Sequence, residues 1–555
     1  MAPRFSIVTP VYETPIPVLW QMLESVRGQG FEDWELCLVD DASPSSEVRA
    51  TLERAQREDP RIRLEVRSDN GGIVAASNDA LAMAEGEFVA LLDHDDKLHP
   101  DALVLVDAAI GGEPEADYLY TDEDKIDEEG HHLAPFLKPD WSPERMRTQM
   151  YTCHLSVFRR SLLDRVGGFD PEFEGSQDWD MVLRATEQAR VVVHVPRVLY
   201  HWRGIASSAA AGEDVKPWAF EAGQRAVQAH CQRIGLQAQV ERDLEAPGVY
   251  HLEPELRDHP LVSIVVPTRG QSREIRYQDT VLVEHCLRSI VASSTYENYE
   301  LVVVADADTP PETLARLREI AAERLRLVEF DRPFNFSAKI NAGAVRSEGE
   351  HLLLLNDDIE VATPNWIERM VMYSQLPEIG AVGGRLLLED GRLQHGGVGF
   401  EGGLPGHPYH GWPGDAPGYA NALKIARNQL AVTGACLMTR KDLFERLGGL
   451  TTTFPINYND VDYCLKLRED GRRVVYDGDL VMRHFESSSR SSDVEEWEKQ
   501  LLLEKWSART VPDPYSHPSL KEGMPRLGSP FLWARMRSEE RRVGKECRSR
   551  WSPYH

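Results

Sequence analysis

The chain lacks most of the features that would place it outside the ordinary globular class. Its 555 residues hold only seven cysteines, Cys37, Cys153, Cys231, Cys286, Cys436, Cys464 and Cys547. They are scattered and odd in number, with no Cys-x-x-Cys pair, which argues against a disulfide framework and a structural cysteine–zinc site. No apolar run approaches the roughly 20 residues that span a bilayer. The N-terminus has no basic segment followed by an apolar one, so no signal peptide is expected. Basic residues are in the minority: 62 Lys and Arg face 90 Asp and Glu, a net charge of −28. Nucleic-acid binding, which rests on cations neutralising phosphates, is therefore not expected. The expected location is the cytoplasm, with peripheral contact at the inner face of the membrane through a partner or lipid substrate. Hydrophobic residues at 42% and charged residues at 27% suit a folded chain of two or three domains.

What is present is a repeat. FSIVTP (Phe5–Pro10) returns as VSIVVP (Val262–Pro267), and LLDHDD (Leu91–Asp96) as LLNDDI (Leu354–Ile359). LLDRVGGFD (Leu162–Asp170) returns as LFERLGGLT (Leu443–Thr451), QDWDMVLR (Gln177–Arg184) as NDVDYCLKLR (Asn459–Arg468), and His201 as His484. The order is kept and the offset grows only from 257 to 283 residues, the mark of a duplication. Each copy opens with an apolar strand, a helical stretch and a second apolar strand, SIVTPVY then ELCLVDD, and SIVVPT then ELVVVAD. That pattern predicts an α/β fold with a mostly parallel, Rossmann-like sheet in each copy. Ligands of such sheets bind beyond the carboxyl ends of the strands, where LVDD and LLDHDD place acids.

The expected organisation is a first domain over residues 1–210, a helical junction over 211–259 and a second domain over 260–495. A C-terminal extension follows over 496–536. Residues 537–555 carry six basic and three acidic residues with no apolar period, and read as a non-native tail. The Gly- and Pro-rich stretch Gly383–Gly418 is expected to be a surface loop.

Asp93 and Asp95, at i and i+2 after an apolar strand, can meet one divalent cation, and oxygen ligands suit Mg²⁺ or Mn²⁺. The plainer reading is an acidic turn capping the next helix. Asn356, Asp357 and Asp358 stand in the same place in copy two. TPVY, LVDDAS, NGG, LDHDD, GSQDWD and HWR, with VPT, NFSAKINAGA, LLLNDDIEV, VTGACLMTRKDLFERLGGL, NDVDYCLKLR and HFESSSR, resemble family 2 glycosyltransferases of the GT-A fold, in tandem. The second copy is especially similar to the C-terminal halves of bacterial O-antigen and rhamnan-type enzymes.

The resemblance implies a nucleoside-diphosphate-sugar donor, with dTDP-rhamnose first and galactose or another hexose next, and a lipid-linked glycan acceptor. It implies that Asp41 and Asp306 read the donor's pyrimidine. Thr9, Pro10 and Tyr12, with Pro267 in the second copy, would wall the nucleotide beside Asp93. Asp95 or Asp358 would hold the metal on the diphosphate, with His201 or His484 completing the site. Members of this family invert the anomeric centre, which needs a general base; Asp178 and Asp460 match it. Asp180 and Asp462, two residues on, are expected to stabilise a helix start.

Four departures stand out. Gln177 and Asn459 replace the family's glutamate before the base, Ala305 stands where copy one has Asp40, Asn356 replaces Asp93, and Pro333-Phe334-Asn335-Phe336 replaces Asn70-Gly71-Gly72. Two active sites are therefore weighed against one site plus a degenerate copy that binds carbohydrate or acceptor. A nucleotidyltransferase would want a basic Gly-rich loop after the first strand, and neither copy has one.

Overall fold

The computed structural model describes residues 2–127, 129–204, 217–485 and 494–517. The residues 537–555 expected as a foreign tail, and the extension beyond 517, lie outside the described residues. Two compact units are present. The first contains Met1–Asp258 with Ile425–Asn428 and Pro514–His517; the second contains His259–Lys424 and Gln429–Asp513.

In the first unit the strands of the main sheet are β1 (Phe5–Val11), β2 (Trp34–Asp40), β3 (Ile62–Val66), β4 (Phe88–Leu91), β5 (Lys97–Leu98), β6 (Ala116–Ile126), β7 (His132–Phe136), β8 (Ser156–Arg159) and β9 (Val191–Arg203). Their order is β3-β2-β1-β4-β8-β6-β9-β5, with β7 on β6. The run β3-β2-β1-β4 is parallel, and β8 enters antiparallel to β4. Strand order reverses at β1, so the crevice between the ends of β1 and β4 is the ligand position of an open α/β sheet. All seven residues of β1 and of β2 are buried, as strands covered on both faces must be.

Pro10 is tolerated in a central strand because β1 pairs with β4 only over Phe5–Val8. Past that point no neighbour on that side needs its missing N–H. Helix Ile16–Arg27 buries Leu19, Met22, Leu23 and Val26, an i, i+3, i+4, i+7 stripe laid on the sheet.

The second unit repeats the order: Leu325–Phe330, Tyr299–Asp306, Val262–Thr268, His351–Leu355, Cys436–Arg440, Ile379–Leu387, Arg473–His484 and Ile359–Val361. Pro267 likewise lies beyond the Val262–Val265 pairing with His351–Leu354.

Three local readings of the sequence change. The helix expected as a junction, Pro217–Ile234, packs on helix Gln177–Thr186 inside the first unit. Tyr250–Pro254, expected as connecting chain, is a strand paired with Ala238–Arg242. Gly383–Gly418 is more than a surface loop. It carries Leu393, Tyr409, Trp412 and Ala416, which are buried with Leu423 in a small core of their own.

Candidate active site

In the first unit β1 ends at Val11, β2 at Asp40 and β4 at Leu91, and their loops carry the candidate nucleotide residues. Thr9 and Pro10 lie buried within β1, and Tyr12 stands half exposed just beyond it. The Asp41 carboxylate accepts the N–H groups of Gly71 and Gly72, each at 2.9 Å, and pairs with Arg67 at 2.9 Å. The Asn70-Gly71-Gly72 turn is thus pinned to the acid expected to read the base. In the second unit Asp306 accepts from buried Lys339 Nζ at 2.7 Å and faces Arg269 at 3.3 Å. Lys339 also donates to the Thr268 carbonyl at 2.7 Å. The two acids therefore keep their places but have different partners, two glycine N–H groups in one and a lysine in the other.

The carboxylates after β4 are not equivalent to one another. Asp96 is buried, and its two oxygens accept from the Tyr200 hydroxyl and the Arg203 N–H, both at 2.6 Å. It fastens the turn to β9. Asp93 is half buried, with an oxygen 3.9 Å from His154 Nε2. Burial, with Asp93 alongside, pushes the Asp95 carboxyl up, and His94 opposes it.

Asp178 opens helix Gln177–Thr186. Burial and the negative charge of Asp93 push its carboxyl up to about 6, while His154 pulls it down. Asp178, Asp93 and His154 thus share one environment, the arrangement wanted for a base near neutrality. His154 was not singled out in the sequence. It lies in no motif there, and its place is fixed only in the fold, by its approach to Asp93 and by the stacking of Tyr200 on its ring at 4.5 Å. Asp180, by contrast, is buried and paired with Arg184 at 2.7 Å.

His201 is opposite Lys97 in the β5–β9 ladder. Its Nδ1 meets Asp124 at 2.7 Å, and the other oxygen of Asp124 meets His132 at 2.8 Å. These three residues and His99 line a cavity of about 700 Å³.

His484, in the second unit, is opposite Ile359. Asp358 is therefore one residue from the position facing its histidine, and Asp95 is two from the position facing His201. His484 Nε2 accordingly lies 2.9 Å from Asp358, while Nδ1 meets Gln394 at 2.7 Å. Asn356 adds a side-chain oxygen that is buried and makes no hydrogen bond, with its amide 3.4 Å from His484 Nε2. An orphaned oxygen beside a carboxylate and an oriented imidazole fits a hard divalent cation.

Asp460 is held differently from Asp178. Its oxygens accept from Gly434 N–H at 2.7 Å and Val461 N–H at 2.8 Å. Tyr458, just before this helix, has φ +61°, a costly backbone state for a non-glycine residue. Asp462 is buried and accepts from Lys505, Trp506 and Thr451 at 2.6, 2.8 and 2.5 Å. It binds helix Glu496–Thr510 to the second unit, a role wider than starting its own helix.

The glycosyl transferase family 2 model matches residues 6–167 and again 263–448. The chain belongs to glycosyl transferase family 2. The double match accounts for two GT-A units in one chain. The chain is 39% identical over 531 residues to an uncharacterized protein, y4gI, of Sinorhizobium fredii, covering 93% of this chain and 58% of that one. It is 38% identical over 526 residues to the O-antigen biosynthesis protein RfbC of Myxococcus xanthus, covering 93% and 40%. The chain thus spans about half the length of these relatives. A Pyrobaculum calidifontis mannosyltransferase solved with GDP-Man and Mn²⁺ superposes with a TM-score of 0.32 at 18% identity, over 49% of this glycosyltransferase and 67% of that chain. No helix among the described residues is long and apolar enough to cross a membrane.

Proposed function

We propose that each unit of this family 2 glycosyltransferase moves a sugar from a nucleoside diphosphate to a glycan hydroxyl with inversion, during assembly of a cell-surface polysaccharide. The observation that carries the reading is the grouping of Asp178 with Asp93 and His154 beyond the carboxyl ends of the strands. The match to an O-antigen biosynthesis protein supports the polymer class.

In the reaction the acceptor oxygen bonds to the anomeric carbon as the bond from that carbon to the diphosphate breaks. The acceptor proton passes to Asp178 in the first unit and to Asp460 in the second. Asp41 and Asp306 hold the base end of the donor, and Thr9, Pro10, Tyr12 and Pro267 wall it. Asp93 and Asp95, and in the second unit Asn356, Asp358 and His484, would hold Mg²⁺ or Mn²⁺. Such a cation, when bound, neutralises charge on the departing diphosphate. We propose a lipid-linked acceptor at the inner membrane face.

A second reading keeps one working site, the other unit serving as an acceptor-binding module. It is favoured by Asp306, which already carries Lys339 and Arg269. The test is transfer from a panel of nucleotide sugars with Mn²⁺, comparing wild type with Asp178→Asn and Asp460→Asn. Loss of a different linkage in each supports two sites. One silent variant supports the second reading. Unchanged transfer in both overturns the assignment of the bases.

A further inference from the structure

The first unit also holds a closed group of Asp122, His194 and His517 whose ligand atoms lie within 4.8 Å of one another. Asp122 Oδ1 meets His194 Nε2 at 2.9 Å, and Oδ2 meets His517 Nε2 at 2.8 Å. The other ring nitrogen of His194 meets Asp140 at 3.1 Å. The side chains of Asp122, His194 and His517 are 0%, 1% and 2% exposed. We propose that this group is a structural transition-metal site, of the zinc type, that fixes segment Pro514–His517 to the first unit.

Two arguments converge on it. The first is the donor set: two imidazoles and a carboxylate suit a borderline cation such as Zn²⁺ better than Mg²⁺. The second is orientation. A metal-binding histidine normally gives its other N–H to a carboxylate, which is what Asp140 offers His194, while the Tyr120 ring stacks on its face at 4.9 Å.

The three side chains are closed to solvent, as in a structural rather than a catalytic metal site.

The test uses the full chain purified without a histidine tag, stripped with a chelator and then reloaded with Zn²⁺ or Co²⁺. Metal content after gel filtration and the visible Co²⁺ spectrum are read together. The expected result is one retained zinc and a low-coordinate Co²⁺ band, both lost in His517→Gln and His194→Gln. Asp140→Asn should retain zinc roughly 10–100-fold more weakly, as loss of a supporting carboxylate does. His201→Gln and Asp358→Asn should keep the zinc. A wild-type protein that retains no zinc, or retains it unchanged in His517→Gln, overturns the proposal. Circular dichroism of each variant separates metal loss from unfolding, and the wild-type Co²⁺ spectrum does not depend on any variant.

Discussion

His484 Nε2 lies 2.9 Å from an oxygen of Asp358, and its Nδ1 is turned onto Gln394 at 2.7 Å. The glutamine decides which nitrogen faces the acid. Gln394→Leu should leave the second unit folded but lower its apparent Mn²⁺ affinity by roughly 10–100-fold, in line with other supporting contacts to a ligand. Asp358→Asn should abolish that unit's transfer outright. Titrating activity with Mn²⁺ after chelation measures both.

The two candidate bases are held differently, so their variants should differ in pH behaviour. Asp178 must be ionised to take a proton, and its carboxyl is pushed up to about 6. Transfer by the first unit should therefore fall as pH drops through about 6. Asp178→Asn should cost that linkage about 10²–10⁴-fold. A kcat profile resolved by product linkage, from pH 5 to 8, is the measurement. A profile flat across that range would count against Asp178 as the base.

Asp460 depends on Gly434. A methyl group added there would sit 3.1 Å from the Asp460 Cβ, and the N–H of Gly434 donates to its carboxylate. Gly434→Ala should shift the carboxylate and slow the second linkage with little change in donor KM. Initial rates against donor concentration separate the two effects.

His230 gives a stability prediction. Burial lowers it from the usual 6.5 to about 4, although Glu187 opposes the shift. A group with a lowered folded pKa binds its proton more readily when unfolded. Its contribution is complete above about 6.5 and is lost as pH falls toward 4. Thermal melts of wild type should lose ground over that window, and His230→Gln should lose less.

Arg369 is buried, and its guanidinium pairs with Asp477 and Asp479, each at 2.8 Å. Arg369→Met should destabilise the second unit by about 3–5 kcal/mol, because Asp477 is left buried and charged. Denaturant melts monitored in that unit measure the loss.

The repeat, the buried parallel strands and the acids at their ends are set by local order along the chain. Apolar runs the length of a strand, followed by charged turns, have few other ways to fold. That much, with the family, is legible in the residues, and the same local order picks out Asp93, Asp95, Asp178 and their counterparts as candidates. The partners of those residues were not. A one-residue difference in strand register puts Asp358 against His484, while His201 turns to Asp124 and His132. Helix Pro217–Ile234, helical in sequence, gains its place only by packing on helix Gln177–Thr186. His154 and His517 sit in no motif. Each is placed by a residue distant in sequence, Asp93 for one and Asp122 for the other. Local pattern fixes which face of an element is buried, but contacts across such separations depend on register and packing, which only the folded chain decides.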